Sequence, residues 1–290
     1  MKTNSDKSSR TINCSGKLVP LSTPHVMGIL NLTPDSFYDG GKYTQGKNAF
    51  FQTEKMVKEG ATFIDVGAYS SRPGAKHISL EEELARLSGL SELTKRFPET
   101  HFSIDTFRSE VARYGIENGT CIINDISGGE LDSEMFETVA QLKVPYICMH
   151  MKGQPQTMQQ NPTYTDVVSE MLLYFSEKVN KLRLLGVSDI ILDPGFGFGK
   201  SLEDNYEVLR RWPEIGVLEL PWLAGVSRKS MINKVLNIKS LGSLNGTTAL
   251  NMICLINGAN FLRVHDVKEA VETVSLFRAY QGEFSIIANA

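Results

Sequence analysis

At 290 residues the chain is longer than most single domains, yet a β/α barrel of about 250 residues forms one unit, so a second domain is not required. Hydrophobic residues make up 41% and charged residues 22% of it, a balance that excludes a largely disordered chain and is enough to bury a large core. The formal charge of −3 gives no broad basic field. It excludes a general surface for nucleic acid or anionic lipid and confines any anion site to a local cluster.

The opening MKTNSDKSSR lacks the apolar stretch of a secretion signal, and nothing later reaches the roughly 18 apolar residues of a membrane span. Cys14, Cys121, Cys148 and Cys254 form no C-x-x-C pair, and three sit in apolar runs where reduced core thiols belong. The expectation is a cytoplasmic protein without nucleic-acid or membrane partners. Residues 1–11 read as a disordered tail and 12–282 as one domain.

The segment Ile12–Pro24 has short apolar stretches around Ser15-Gly16-Lys17, predicting a β-hairpin that closes the bottom of a barrel. Eight apolar, β-branched runs follow, each ending abruptly in a polar residue or glycine. They are His25–Asn31, Thr62–Gly67, His101–Thr106, Cys121–Ser127, Val144–His150, Asp189–Gly195, Pro221–Ser227 and Phe261–Asp266. Their spacing averages roughly 34 residues, near that of barrel repeats. Amphipathic helices are predicted between them, including Asn48–Glu59, Leu80–Arg96, Arg108–Asn118, Asp166–Leu185, Leu202–Arg211 and Val267–Tyr280. Gly60, Gly119, Gly186 and Gly258 stand where helices end. Ser79 with Glu82 reads as a capping box, making the acidic run Glu81–Glu83 a solvated helix start. Alternating apolar strands and helices give an α/β protein with a parallel sheet, and the count of eight closes it as a (β/α)8 TIM barrel.

Ligands of such barrels sit beyond the carboxyl ends of the strands. Those ends carry Asn31, Asp65, Asp105, Asn124, Asp125, His150, Asp193, Ser227-Arg228-Lys229, Arg263, His265 and Asp266. Any one of them has an ordinary reading as a helix cap or an Asx turn. Together, Asp105, Asp193 and Asn124 suit a flat heterocycle with adjacent N–H donors. The donors of Ser227–Ser230, with Arg263 and His265, imply an anionic substrate group beside the last two strands. The glycine-rich loop Asn31–Gly41 reads as a lid, and Ala68–Gly74 supplies a further arginine and hydroxyls. Asp193-Pro-Gly-Phe-Gly-Phe-Gly-Lys-Ser201 is not a Walker loop, because Pro194 occupies the place of its first glycine. Its glycines are expected to let the backbone and Phe198 approach a ligand.

In order along the chain, Met27-Gly-Ile-Leu-Asn-Leu-Thr-Pro-Asp-Ser-Phe37 resembles the opening signature of the dihydropteroate synthases, which are pterin-binding enzymes. Ser71–Ala75, Ser103–Thr106, Ile123–Ile126, Met149–Met151, Leu192–Lys200, Ser227–Ser230 and Arg263–Asp266 resemble that family's other strand-end motifs, so the likeness spans residues 12–280. The resemblance implies a transferase of folate biosynthesis. It would condense 6-hydroxymethyl-7,8-dihydropterin diphosphate with 4-aminobenzoate to 7,8-dihydropteroate, losing pyrophosphate by a dissociative, Mg2+-assisted substitution.

The family's pterin contacts carry over to Asp105, Asn124, Met149, Asp193 and Lys229, and its diphosphate contacts to Asn31, Arg72, Arg263 and His265. Asn31 would also hold Mg2+. Ser36, Ser71, Pro73, Phe198, Lys229 and Ser230 would contact aminobenzoate. Asp105, Lys229, Arg263, His265 and Asp35 form the implied catalytic set. The resemblance further implies a sulfonamide target and a homodimer formed through exterior helices. One departure is Ala68-Tyr69-Ser70-Ser71, where the family has glycine, a variable residue, serine and threonine; Ser71 keeps the hydroxyl but lacks the methyl. Three other readings stay open: a corrinoid-linked methyltransferase on the same barrel, a Schiff-base aldolase using Lys229, and a homologue that binds pterin without turnover.

Overall fold

The computed structural model describes residues 10–32, 42–70, 76–153, 158 and 162–284. The chain opens with β1 (Thr11–Cys14) and β2 (Lys17–Pro20), paired antiparallel with Cys14 opposite Lys17. Ser15 and Gly16 both take positive φ, 52° and 86°, the turn geometry that matches hairpin twist. Strand pairing therefore starts at Thr11, inside the expected tail; residues 1–9 lie outside the described residues.

The barrel elements follow in order: β3 (His25–Asn31), α1 (Lys42–Lys58), β4 (Phe63–Gly67), α2 (Leu80–Arg86), α3 (Leu90–Arg96), β5 (His101–Asp105) and α4 (Ser109–Glu117). Next come β6 (Ile122–Asp125), α5 (Met135–Leu142), β7 (Tyr146–Met149), α6 (Val167–Leu184), β8 (Ile190–Asp193), α7 (Leu202–Arg210) and α8 (Trp212–Ile215). The last are β9 (Leu223–Ala224), α9 (Ser230–Leu236), α10 (Leu244–Ile256), β10 (Phe261–Val264) and α11 (Val267–Tyr280). The eight strands β3–β10 are all parallel, in the order β8-β7-β6-β5-β4-β3-β10-β9. A parallel bridge between Leu192 and Trp222 joins the two outer strands and closes the barrel. Closure is thin there, because the expected seventh strand Pro221–Ser227 is regular only over Leu223–Ala224.

Period-two alternation divides each strand. One set, including Ile64, Val66, Phe102, Ile104, Tyr146, Leu192 and Val264, packs outward in the large core under the helices. The other set points inward. At the strand starts it is apolar: Met27, Phe63, Ile122, Ile147, Ile191, Leu223 and Phe261 cluster with Ile12, Cys14, Val19 and Leu21 of the hairpin. The hairpin thus plugs the barrel floor as expected. Two residues further along the same inward rows stand Ile29, Asp65, Ser103, Asn124, Met149, Asp193, Gly225 and Arg263. The interior changes from hydrocarbon to hydrogen-bonding groups within one strand length.

Two helix expectations are corrected. Leu80–Arg96 is two helices, because Ser88 and Gly89 are poor helix formers and Leu90 N–H bonds Leu87 O one residue short of α-helical register, at 2.9 Å. Ser79 Oγ does cap α2 by accepting the Glu82 N–H, but the acidic run is not wholly solvated. Glu83 is fully buried, accepting from Thr106 Oγ1 at 2.9 Å and Arg108 Nη1 at 2.5 Å. Gly60, Gly119, Gly186 and Gly258 all adopt the positive φ expected at helix ends. All four cysteines are buried and free, and among the described residues no helix is long and apolar enough to cross a membrane.

Candidate active site

The mouth of the barrel is organised around Asp65 on β4. This carboxylate is fully buried; it accepts from Ser103 Oγ, from Asn124 Nδ2 at 2.9 Å and from Arg263 Nε at 2.5 Å. Arg263 also donates through Nη2 to Asp105 Oδ2 at 2.5 Å. Strands β4, β5, β6 and β10 are thereby tied together just below the opening. Strand register sets Gly67, Asp105 and Asn124 side by side. A Cβ at Gly67 would stand 3.3 Å from the Asp105 Cβ, so the missing side chain leaves Asp105 its space.

Asp193 ends β8 beside Met149 of β7 and accepts the Gly195 N–H at 2.7 Å. Lys229, half-buried, donates to Phe196 O and lies 4.1 Å over the Phe198 ring. Met149 and Phe198 belong to an apolar wall with Ile126, Met151, Met158 and Phe107. One side of the mouth is therefore hydrocarbon and aromatic, and the other is lined by carboxylate, amide and cation. Asn31 ends β3, His265 follows β10 and Ser230 starts α9 at the same end of the barrel. The Ser227 hydroxyl lies 3.1 Å from His265 Nδ1.

Burial pushes Asp105 up to about 7, helped by the neighbouring carboxylates of Asp65, Glu83 and Asp125 and opposed by Arg263. Burial likewise raises Asp193, with Lys229 opposing. Lys229 is lowered to about 7 by burial and by Arg263, against the pull of Asp193 and Asp105. For Arg263, burial works against its charge, but Asp65 and Asp105 more than compensate and raise it above the ordinary value. A ligand offering donors to the carboxylates and an anion to the cations would relieve the burial of both.

The glycine-rich stretch after β8 is packed tightly against its neighbours. Two of its glycines make room for neighbouring backbone: at Gly195 (φ +65°) a Cβ would lie 2.0 Å from His150 O, and at Gly199 (φ +58°) 2.2 Å from Lys152 O. Lys200 turns back under the loop. Its buried Nζ reaches His150 Nδ1 at 2.8 Å, Gly195 O at 3.2 Å and the carbonyls of His150 and Phe198 at 3.3 Å.

This geometry has close counterparts among known proteins. The model of the pterin-binding enzymes matches residues 27–265. The Escherichia coli dihydropteroate synthase is 44% identical over 266 residues, covering 91% of this chain and 94% of that protein. The chain belongs to the pterin-binding enzyme family, among its dihydropteroate synthases. It is accordingly a transferase. The Yersinia pestis dihydropteroate synthase, solved with a sulfonamide drug, superposes with a TM-score of 0.88 at 38% identity, covering 94% of this chain and 100% of that one. The Xanthomonas albilineans enzyme, solved with 4-aminobenzoic acid, gives 0.87 at 36% identity, covering 93% and 98%.

Within the family frame, Asn31, Asp105, Asn124, Met149, Asp193, Phe198, Lys229, Ser230, Arg263 and His265 all stand at the C-terminal end of the barrel. Asp35, Ser36, Ser71, Arg72 and Pro73 lie outside the described residues. Other strand-end polar residues turn away from the pocket. Asp125 is consumed by Ser127, Gly129 and Tyr146, His150 serves Lys200, and Arg228 is clamped by Asp266 at 2.5 and 2.9 Å. The cationic cluster expected at Ser227–Ser230 therefore offers Lys229 alone. Ser103 and Lys200 stand inside motifs that the sequence offered, but their bracing of Asp65 and of the loop after β8 is visible only in the fold. For Asp65 the signal existed, as an inward strand position two residues before Gly67.

Proposed function

We propose that the chain condenses 6-hydroxymethyl-7,8-dihydropterin diphosphate with 4-aminobenzoate, giving 7,8-dihydropteroate and pyrophosphate. The observation that carries this reading is the two-sided mouth: carboxylates and an amide on β5, β6 and β8 meet the cations that follow β9 and end β10 on one side, and an apolar wall of Met149 and Phe198 lines the other. Asp105, Asn124 and Asp193 supply acceptors and a donor to the pterin edge, Met149 packs on its ring, and Lys229 reaches the same ring system. Arg263 and His265, with Arg72, hold the diphosphate and stabilise charge growing on the leaving group. Asp105 stabilises the positive charge that develops as the methylene carbon loses pyrophosphate. The neutral arylamine then attacks and sheds a proton, so no covalent enzyme intermediate is required.

The oxygen of Asn31 fits a hard cation that keeps waters and takes most of its ligands from a diphosphate. Mg2+ held there would neutralise diphosphate charge and ease its departure. Phe198, Lys229 and Ser230, together with Ser36, Ser71 and Pro73, contact the aminobenzoate, and Asp35 completes the catalytic set. Exposed Leu244, Ile253, Ile256, Leu276 and Tyr280 on α10 and α11 make an apolar face suited to a homodimer. A cytoplasmic location accords with four free thiols.

The test is pyrophosphate release by purified protein with pterin diphosphate, Mg2+ and 4-aminobenzoate, with chromatography of the pterin product. Aminobenzoate-dependent release with dihydropteroate formation supports the reading. Tight pterin binding without release would replace it with a binding-only role.

A further inference from the structure

At the barrel floor, opposite the mouth, the fold gathers a second set of reactive side chains that the pocket does not use. Cys14 ends β1, His101 opens β5 and Cys121 stands immediately before β6. One ligand atom from each lies within 4.8 Å of the other two. Cys14 and Cys121 are buried and His101 is half-buried against Phe63, ring centroids 5.1 Å apart. Among the described residues this is the one such cluster of histidine, cysteine and carboxylate side chains.

We propose that Cys14, His101 and Cys121 bind one Zn2+ ion that staples the N-terminal hairpin to the barrel floor. Zinc bonds of about 2.3 Å to sulfur and about 2.0–2.1 Å to imidazole, arranged tetrahedrally, set ligand atoms roughly 3.3–3.8 Å apart. Each pair of ligand atoms needs to close by about 1.5 Å at most, shared between two side chains. Two sulfurs and one nitrogen form a soft donor set that favours zinc over the hard Mg2+ of the mouth. On binding, the two thiols release their protons to solvent, and two thiolates offset the ion's double charge, which suits a floor lined by Phe63, Ile122 and Phe261. A water fills the fourth position, and the Asp189 carboxylate nearby holds the hairpin by accepting the N–H of Asn13 at 2.8 Å. The ion links residue 14 to residues 101 and 121, where the hairpin otherwise relies on apolar packing and a few ties such as Asn13 to Asp189.

The test uses Co2+ as a spectroscopic stand-in for Zn2+. Reduced full-length protein, stripped with a chelator and titrated with Co2+, should take up one equivalent with thiolate-to-cobalt charge-transfer absorption and the intense visible bands of a tetrahedral site. Zn2+ should displace it and raise the thermal midpoint. Cys14→Ser and Cys121→Ser should each abolish the charge-transfer band, His101→Gln should weaken the visible bands, and Cys254→Ser should leave both unchanged. Far-ultraviolet circular dichroism and pyrophosphate release, which depends on the other end of the barrel, establish that each variant is folded. The proposal is overturned by absence of the thiolate band in the wild type, or by its survival in both Cys14→Ser and Cys121→Ser. A Cys14–Cys121 disulfide in protein isolated without reductant, together with no Co2+ uptake after reduction, would overturn it equally.

Discussion

Asp65→Asn keeps the shape of the buried network and removes its charge. Asparagine can keep its oxygen toward Asn124 Nδ2 and Arg263 Nε and turn its amide toward the Ser103 hydroxyl, which accepts as well as donates, so the loss is the negative charge beside Arg263 rather than a hydrogen bond. Removing one member of a buried ion pair costs about 3–5 kcal/mol. Arg263 retains Asp105, which reduces the expected loss to about 2–3 kcal/mol, near one charge-assisted hydrogen bond. Arg263 and Asn124 both line the mouth, and a displacement of about 1 Å at such positions costs up to about 100-fold in rate. We expect kcat/KM for the pterin diphosphate to fall by roughly 10- to 100-fold, with a smaller change in KM for aminobenzoate. Urea unfolding followed by circular dichroism gives the stability change, and coupled pyrophosphate detection gives the kinetics. Stability within about 0.5 kcal/mol and kcat/KM within about twofold of wild type would refute the view that Asp65 positions the site.

Three further outcomes are expected. Gly195→Ala places a methyl against His150 O at positive φ and should destabilise by more than about 1 kcal/mol, read as a lower urea midpoint. Lys200→Met strips a donor from four acceptors and should cost about 2–4 kcal/mol; the freed loop should also raise KM for aminobenzoate through Phe198. Asp105 stays protonated in the folded chain up to about 7 rather than 3.8, so its contribution to stability is lost as pH rises across that interval. Lys229, lowered from 10.5 to about 7, loses stability as pH falls across its own interval, so both groups place a minimum near pH 7. The difference in urea midpoint between unliganded wild type and Asp105→Asn/Lys229→Met should be most unfavourable to the wild type there, and a flat difference from pH 5 to 9 would contradict it.

Much of this molecule is legible in its sequence because the physical signals are local. Eight apolar runs, each closed by a polar residue, dictate a parallel sheet with helices between, and the Ser15-Gly16 turn dictates the hairpin. The polar residues that end those runs also mark the pocket end, since strand direction alone puts them there. What the strand-end pattern could not do was sort them. Asp65, Asp105, Asp125 and Asp193 look alike in the chain, yet one braces, two face the mouth and one is consumed by Ser127, Gly129 and Tyr146. Inward parity and cross-strand register separate them, and both require knowing which strands are neighbours.

The same limit explains the acidic run at Glu81–Glu83 and the cations after β9. Glu83 is buried because Arg108 and Thr106, from a different strand-end loop, come to meet it, and Arg228 leaves the mouth because Asp266 captures it. Neither partner is near in sequence. The floor cluster is more extreme, drawing Cys14, His101 and Cys121 from three separate elements. The sequence by itself determined the architecture, the end of the barrel that does chemistry and the family. Only the tertiary structure decided which charges meet, because a side chain's burial and its partner depend on contacts made across strands rather than along them.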